Sequence, residues 1–473
     1  MTSKKTILLY NPKAVFYDMP LALLAIRSML DRNKYDIKII DARVDKDVKS
    51  LIKKYAPSAT CFGVTVLTGS PIEDAMEITN YAKENFPHLT TVWGGWHTSL
   101  FPEQVLKDCS YVDITVQGQG EATFKDIIEY TEGTKNLNEV KGITYRNEKG
   151  NIIKNAPREM VDMDTLPMVN YNLIDVEKYF KLKKRRQFDY ISSVGCYFRC
   201  TFCADPFVFQ RKWSAISPTR VADELEHWYS KYQFTDVNFQ DETFFTYPKR
   251  IVEIANLFIE KNIKISWAAT MRADQGNRME DEEFEICVKS GMRRLLIGVE
   301  SGSQSMMDWL KKDIKIEQVY LCAERCKRYG VAVIFPFIVG FPNETNESVK
   351  SSVAMIRELN EMYNKFNTPI FYFKPYPGSK ITEDVLTEGY QLPQTTKDWS
   401  EFDYIGSSGP WVSDQKYTFF ERFKFYLKTG YTKQNKLLKP IQWLAKKRCE
   451  KEFFNFPIEK FLFETFTKSQ KLS

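Results

Sequence analysis

The sequence predicts an α/β chain of two successive strand–helix series followed by a mainly helical C-terminal region. Three observations predict it. Short apolar runs alternate with helically spaced stretches from Thr6 to Tyr130. The alternation starts again at Asp189 and runs to Lys374. Beyond residue 396 the strand-like runs stop, and aromatics mix with lysines. The 473 residues give length for two or three domains, and 43% hydrophobic with 27% charged residues is ordinary globular composition, which excludes large-scale disorder.

In the first series the strands are Thr6–Tyr10, Asp36–Asp41, Cys61–Val66, Thr90–Gly95 and Asp113–Val116. The helices between and after them are Leu21–Leu30, Lys46–Tyr55, Ile72–Asn85 and Ala122–Tyr130. Pro71 stands at the start of the third helix, where its missing N–H is harmless. Such alternation implies a parallel sheet covered on both faces, a doubly wound Rossmann-like domain over residues 1–140. Ligands of these sheets sit beyond the C-terminal strand ends. Three loops fall there: Thr65-Val66-Leu67-Thr68-Gly69, Gly94-Gly95-Trp96-His97-Thr98 and Gln117-Gly118-Gln119-Gly120-Glu121. Their small residues let backbone approach a bulky ligand, and their hydroxyls can bond its polar parts.

Residues 141–184 read as a linker with a hairpin that turns at Glu148-Lys149-Gly150-Asn151. In the second series, over residues 185–395, six strands are expected: Asp189–Val194, Asp236–Phe239, Ile265–Thr270, Arg294–Val299, Ala332–Val339 and Ile370–Lys374. Five helices join them: Pro218–Tyr232, Pro248–Glu260, Asp281–Ser290, Ile316–Tyr329 and Asn346–Glu358. Ser217 before Pro218 is a helix-start signal.

Directly after the first of these strands stand Cys196, Cys200 and Cys203, at C-x3-C-x2-C spacing. Three thiolates on one tight loop can hold three irons of a [4Fe–4S] cluster. With no fourth cysteine, one iron keeps an open position, which suits activation of a ligand more than electron transfer. Half a zinc site is the plainer alternative, but zinc asks for four ligands in separated pairs. The motif, with Phe202 before its third cysteine, resembles that of the radical S-adenosylmethionine (SAM) enzymes. That resemblance implies SAM on the open iron, cleavage to a 5′-deoxyadenosyl radical, and a partial (β/α)6 barrel with its site at the C-terminal strand ends. The glycine loops of the first domain resemble those of the cobalamin-binding domain fused to many of these enzymes. Their residues Thr65, Thr68, Gly94, Gly95, His97, Gly118, Gly120 and Glu121 are then expected to bind cobalamin, with His97 at its nucleotide tail.

The same resemblance implies roles along the second series. Gln240-Asp241-Glu242 stands where the family receives the SAM amino group, although many relatives have Gly-Gly-Glu there. Arg272 would pair with the SAM carboxylate or ribose; Glu300 and Ser301 would face the site; Ile338 and Gly340 would hold adenine. The loop after the first strand, Lys13 to Pro20, lacks the Asp-x-His-x-x-Gly histidine of many cobalamin proteins, so cobalt is expected without a histidine below it. Cys322 and Cys326, one helical turn apart, are expected in the core. Cys61 and Cys109 are too few for the second cluster of the methylthiotransferase relatives.

The activity implied is cobalamin-dependent C-methylation of an unactivated carbon. Cyclisation or rearrangement on the same cofactors is the alternative, and a non-enzymatic cobalamin sensor is a third reading. A small-molecule substrate of lipophilic character and an external electron donor of flavodoxin or ferredoxin type follow. Free thiols, an oxygen-sensitive cluster and no secretory signal suit a reducing cytoplasm. The longest apolar run, Gly330 to Pro342, is too short to span a bilayer. The net charge of +6 is uneven: from Lys416 to Ser473 stand fourteen Lys/Arg and five Asp/Glu. The basic patch is too narrow for nucleic acid. The tail, residues 396–473, is expected to pack as a helical cap, or to touch an anionic membrane face.

Overall fold

The computed structural model describes residues 4–402, 409–431 and 439–461. The chain forms two compact units. The first comprises Met1–Thr270, Lys289–Gly291 and Pro375–Asp403; the second comprises Met271–Val288, Met292–Lys374 and Tyr404–Ser473.

In the first unit, five strands pair in parallel in the order Tyr35–Asp41, Lys5–Asn11, Ala59–Thr65, Thr90–Gly94, Ile114–Val116. The hairpin Ile143–Arg146 and Ile152–Lys154 continues the sheet antiparallel to them. Along the first strand, Ile7 and Leu9 join one core, while Leu8 and Tyr10 join the other. This is the period of two expected of a strand buried on both faces. The strand order changes direction between Lys5–Asn11 and Ala59–Thr65, which opens a crevice at their C-terminal ends. Trp399 and Phe402 also enter this core; the Trp399 ring lies 4.3 Å from that of Phe101.

A second parallel set in the same unit pairs Gln187–Tyr190 with Asp236–Phe239, and the latter with Ser266–Met271. The single strand expected over Asp189–Val194 is two. Gln187–Tyr190 ends, and Ser193–Gly195 pairs antiparallel with Trp213–Ala215 instead. Gly291 takes φ 109°, with backbone of Ile265 where a side chain would stand.

In the second unit, Met292–Ile297 pairs in parallel with Ala332–Ile334, and that strand with Phe366–Asn367. The strand expected over Ala332–Val339 breaks at Pro336, which has no N–H to give a ladder; Phe337–Val339 then pairs with Ile370–Tyr372. Helices Ile316–Arg328 and Asn346–Met362 occupy the expected places. Cys322 and Cys326 are buried on the first of them. Short helices Ala273–Arg278 and Gln304–Trp309 were not expected. The helices Asp414–Tyr431 and Lys439–Glu450 form the C-terminal region, with Phe420, Phe423 and Tyr426 buried. Leu462 and Phe463 of the second aromatic run lie outside the described residues. The fold class is the expected one: a doubly wound domain, a partial (β/α)6 barrel and a mainly helical C-terminal region.

Candidate functional site

Gly195 sets the cysteine loop. Its φ is 80°, and the Lys212 carbonyl fills the space a side chain would need, so the strand can hand over to Cys196 only at a glycine. Cys196, Cys200 and Cys203 are half-buried. The Cys203 amide donates to the Cys200 carbonyl at 3.2 Å, which tightens the loop. Burial pushes the Cys203 thiol far up, and the two neighbouring cysteine sulfurs raise it further. The Asp205 backbone N–H acts the other way. Thiolates on one loop repel one another unless a cation or cluster shares their charge. Among the described residues no three such ligands converge on a single-ion site. A cluster takes each thiolate on a different iron, whereas zinc asks for four ligands in separated pairs. Phe202 is half-buried in the same loop.

The Gln240-Asp241-Glu242 run faces this loop with three different outcomes. Asp241 is buried, and its carboxylate accepts from the Ser192 amide at 2.9 Å and from the hydroxyls of Ser192 and Ser193 at 2.7 and 2.5 Å. Arg250 donates to the Ser192 and Ile216 carbonyls beside it. Asp241 therefore fixes the strand that enters the cysteine loop. Glu242 accepts from the Gly195 amide at 3.2 Å, and burial pushes its carboxyl up to about 8. The Gln240 amide donates to the Tyr190 carbonyl, which leaves its side chain for the cavity it lines. Asp205 escaped the sequence reading. It is buried, neither carboxyl oxygen has a hydrogen-bond partner among the described residues, and burial pushes it up to about 7. Its only signal in sequence is its place two residues after Cys203.

A cavity of about 480 Å³ lies within the first unit. Thr65, Gly94, Gly95, Gly118, Gly120 and Glu121 line it from the glycine loops. Ile191, Val194, Gln240 and Glu242 line it from beside the cysteine loop. Gly95, at φ 102°, lies so close to Val66 that a Cβ would stand 2.8 Å from its carbonyl oxygen; the loop is shaped as a cradle. Gly118, at φ 70°, donates to Ser99 Oγ at 3.0 Å. Glu121 begins the helix Glu121–Thr131, and burial raises its carboxyl. Thr68 and His97 are not among the lining residues. His97 is fully buried; Nδ1 meets Thr68 Oγ1 at 3.3 Å, and Nε2 has no partner among the described residues. An orphaned ring nitrogen and a glycine cradle beside a roomy apolar chamber fit a large cofactor with a polar tail.

In the second unit the expected contacts are engaged by protein. Arg272 donates through Nε to Asp274 at 3.0 Å and through a terminal nitrogen to the Lys312 carbonyl at 2.6 Å. Glu300, at φ 66°, pairs with Lys312 Nζ at 2.5 Å, both buried. A side chain at Gly298 would collide with that pair, so the glycine belongs to it. Ser301 Oγ lies 3.2 Å from Ser352 Oγ. The Ile338 amide donates to the Glu300 carbonyl, and the Gly340 carbonyl accepts from the Trp411 indole.

Comparison with known proteins places both halves of the chain in known families. The B12 binding domain model matches residues 10–128, and the Radical SAM superfamily model matches residues 190–356. The chain belongs to the cobalamin-dependent radical SAM enzymes. It is 28% identical over 401 residues to an uncharacterized methyltransferase of Pyrococcus horikoshii, with 84% of each chain covered. It is 25% identical to the anaerobic magnesium-protoporphyrin IX monomethyl ester cyclase of Rubrivivax gelatinosus, over 74% of this chain and 63% of the other. The fold matches the cobalamin-dependent radical enzyme OxsB, solved with aqua-cobalamin and SAM, at a TM-score of 0.66 and 20% identity; the match covers 89% of this chain and 61% of that one. This radical SAM enzyme therefore uses a [4Fe–4S] cluster, SAM and cobalamin.

Proposed function

We propose that this enzyme methylates an unactivated carbon of a small, lipophilic substrate. The observation that supports it is one cavity walled both by the glycine loops and by residues beside the cysteine loop. A substrate there can meet hydrogen abstraction and methyl donation without leaving the chamber. The bound cofactors supply the 5′-deoxyadenosyl radical and the methyl group; the protein supplies placement and exclusion of water. Cys196, Cys200 and Cys203 hold the cluster. Thr65, Thr68, Gly94, Gly95, His97, Gly118, Gly120 and Glu121 hold cobalamin. Glu242 and Gln240 receive the SAM amino group, with Phe202 beside the cluster, while Asp241 fixes the loop. Ile338 and Gly340 hold adenine, and Arg272, Glu300 and Ser301 keep those strand ends in shape. Loop Lys13 to Pro20 offers cobalt no histidine. An external donor of flavodoxin or ferredoxin type supplies electrons in the cytoplasm, at or near the inner face of the membrane.

Likeness to a cyclase supports a second reading, carbon–carbon bond formation without methyl transfer. One experiment separates the two. Reconstituted, reduced enzyme is given SAM with a trideuterated methyl group, together with metabolites from a strain lacking the gene. A new metabolite bearing the label supports methylation. An unlabelled new product with 5′-deoxyadenosine supports cyclisation or rearrangement. Absence of 5′-deoxyadenosine overturns both.

A further inference from the structure

The C-terminal region turns large apolar side chains outward among lysines. On the helix Lys439–Glu450, Gln442, Ala445 and Cys449 face inward at helical spacing. Lys439, Trp443 and Lys447 recur every four residues on another face, and Trp443 is 63% exposed. Beyond the helix, Phe456 is 79% and Ile458 65% exposed, while Phe454 is buried and stacks on Tyr426. This segment is held in place. Arg448 donates to the carbonyls of Phe453, Asn455 and Phe456 and pairs with Glu459 at 3.0 Å. The outward side chains are thus fixed by the fold rather than left over at a loose end.

Charge selects the partner. From Lys439 to Phe461 stand six Lys/Arg and three Asp/Glu. Glu450 pairs with Lys447 at 2.5 Å and Glu459 with Arg448, and six bases against three acids leave the segment a formal net charge of +3. A tryptophan between two lysines on one helix face has its apolar ring and its cations placed for a bilayer interface. No helix among the described residues is long and apolar enough to cross a membrane. We propose that Trp443, Phe456 and Ile458, with Lys439 and Lys447, seat this region on the surface of an anionic lipid bilayer. The proposal deepens the membrane-edge part of the reading above. It stands apart from the chemistry, because vesicle binding and 5′-deoxyadenosine formation are measured separately.

The test is sedimentation of the full chain with phosphatidylcholine vesicles, with and without phosphatidylserine, at low and high salt. The full chain should bind the phosphatidylserine vesicles, and high salt should release it. The variant Trp443→Ala/Phe456→Ser/Ile458→Ser should bind roughly tenfold more weakly, since each apolar side chain contributes to insertion. Lys439→Glu/Lys447→Glu should lose about fivefold per basic group removed. Both variants should keep wild-type circular dichroism and 5′-deoxyadenosine formation, which separates lost binding from lost folding. Equal binding to neutral vesicles, or unchanged binding of both variants, would overturn the proposal. So would a dimer seen by light scattering that the triple variant abolishes, since a second copy would then cover the patch.

Discussion

In the first unit the strand ends open onto a cavity, and in the second the polar groups at the strand ends close on one another. Thr65, Gly94, Gly95, Gly118 and Gly120 line space, and Glu242 accepts from the Gly195 backbone N–H. Arg272, Glu300 and Ser301 are tied to Asp274, Lys312 and Ser352. The difference lies in what each motif needs from its surroundings. A glycine loop makes room by lacking a side chain, so its function is visible in the residue itself. A buried carboxylate or guanidinium must find a partner, and whether that partner is a ligand or a neighbour depends on residues distant in sequence.

The largest expected effect belongs to the cysteine loop. Cys196→Ala, Cys200→Ala and Cys203→Ala should each abolish 5′-deoxyadenosine formation and strip most of the iron from anaerobically reconstituted protein. Cys322→Ser and Cys326→Ser, buried on one helix, should retain both. Iron analysis and product chromatography on these five variants and on the triple loop variant decide it. Full iron in a variant lacking all three loop cysteines would move the cluster elsewhere and remove the open side of the comparison.

The closed side is tested by Glu300→Gln. The change leaves Lys312 Nζ buried without its carboxylate, and breaking one partner of such a pair costs about 3–5 kcal/mol. Urea unfolding of the apoprotein should show it. Ser301→Ala, which loses a neutral hydroxyl contact, should cost only about 1 kcal/mol. If Glu300→Gln costs no more than Ser301→Ala, Glu300 is not held by Lys312, and the second unit's strand ends are as open to ligand as the first's.

Much of this was legible because the signals are local in the chain. Alternating apolar runs gave the doubly wound order, and cysteine spacing gave the cluster loop. Pro336 was equally visible, and its missing N–H explains the strand break that was not foreseen. The strand Trp213–Ala215 could not be read: three residues carry no period, and their partner Ser193–Gly195 is chosen by a pairing across the cysteine loop. The division of labour between Asp241 and Glu242 was hidden for a related reason. The two carboxylates are adjacent in sequence, yet only one meets the Ser192 and Ser193 hydroxyls. Asp205 had no motif to announce it, and only burial without partners brings it forward.

The smallest expected effect concerns His97, which belongs to a glycine loop yet is buried like the groups of the second unit. Burial pushes its imidazolium down to about 3, so the native ring is neutral across the ordinary range. The unfolded chain takes up a proton near pH 6.5, and below that it binds more protons than the native state. Stability is therefore lost as pH falls from about 6.5 toward 3, by about 2 kcal/mol at pH 5 for this group alone. His97→Phe keeps a ring against Phe101 and Trp399, whose centroids lie at 5.4 and 6.1 Å. It removes the titration, so its unfolding free energy should fall less between pH 7 and pH 5 than that of the wild-type apoprotein. The same variant tests the orphaned Nε2, since a buried donor or acceptor with no protein partner should find one in the bound cofactor. Cobalamin titration should show several-fold weaker binding, as expected for one lost hydrogen bond of about 1 kcal/mol. A flattened pH dependence with unchanged cobalamin affinity would move His97 to the closed class, a histidine that serves the fold beside the cavity but not the ligand within it.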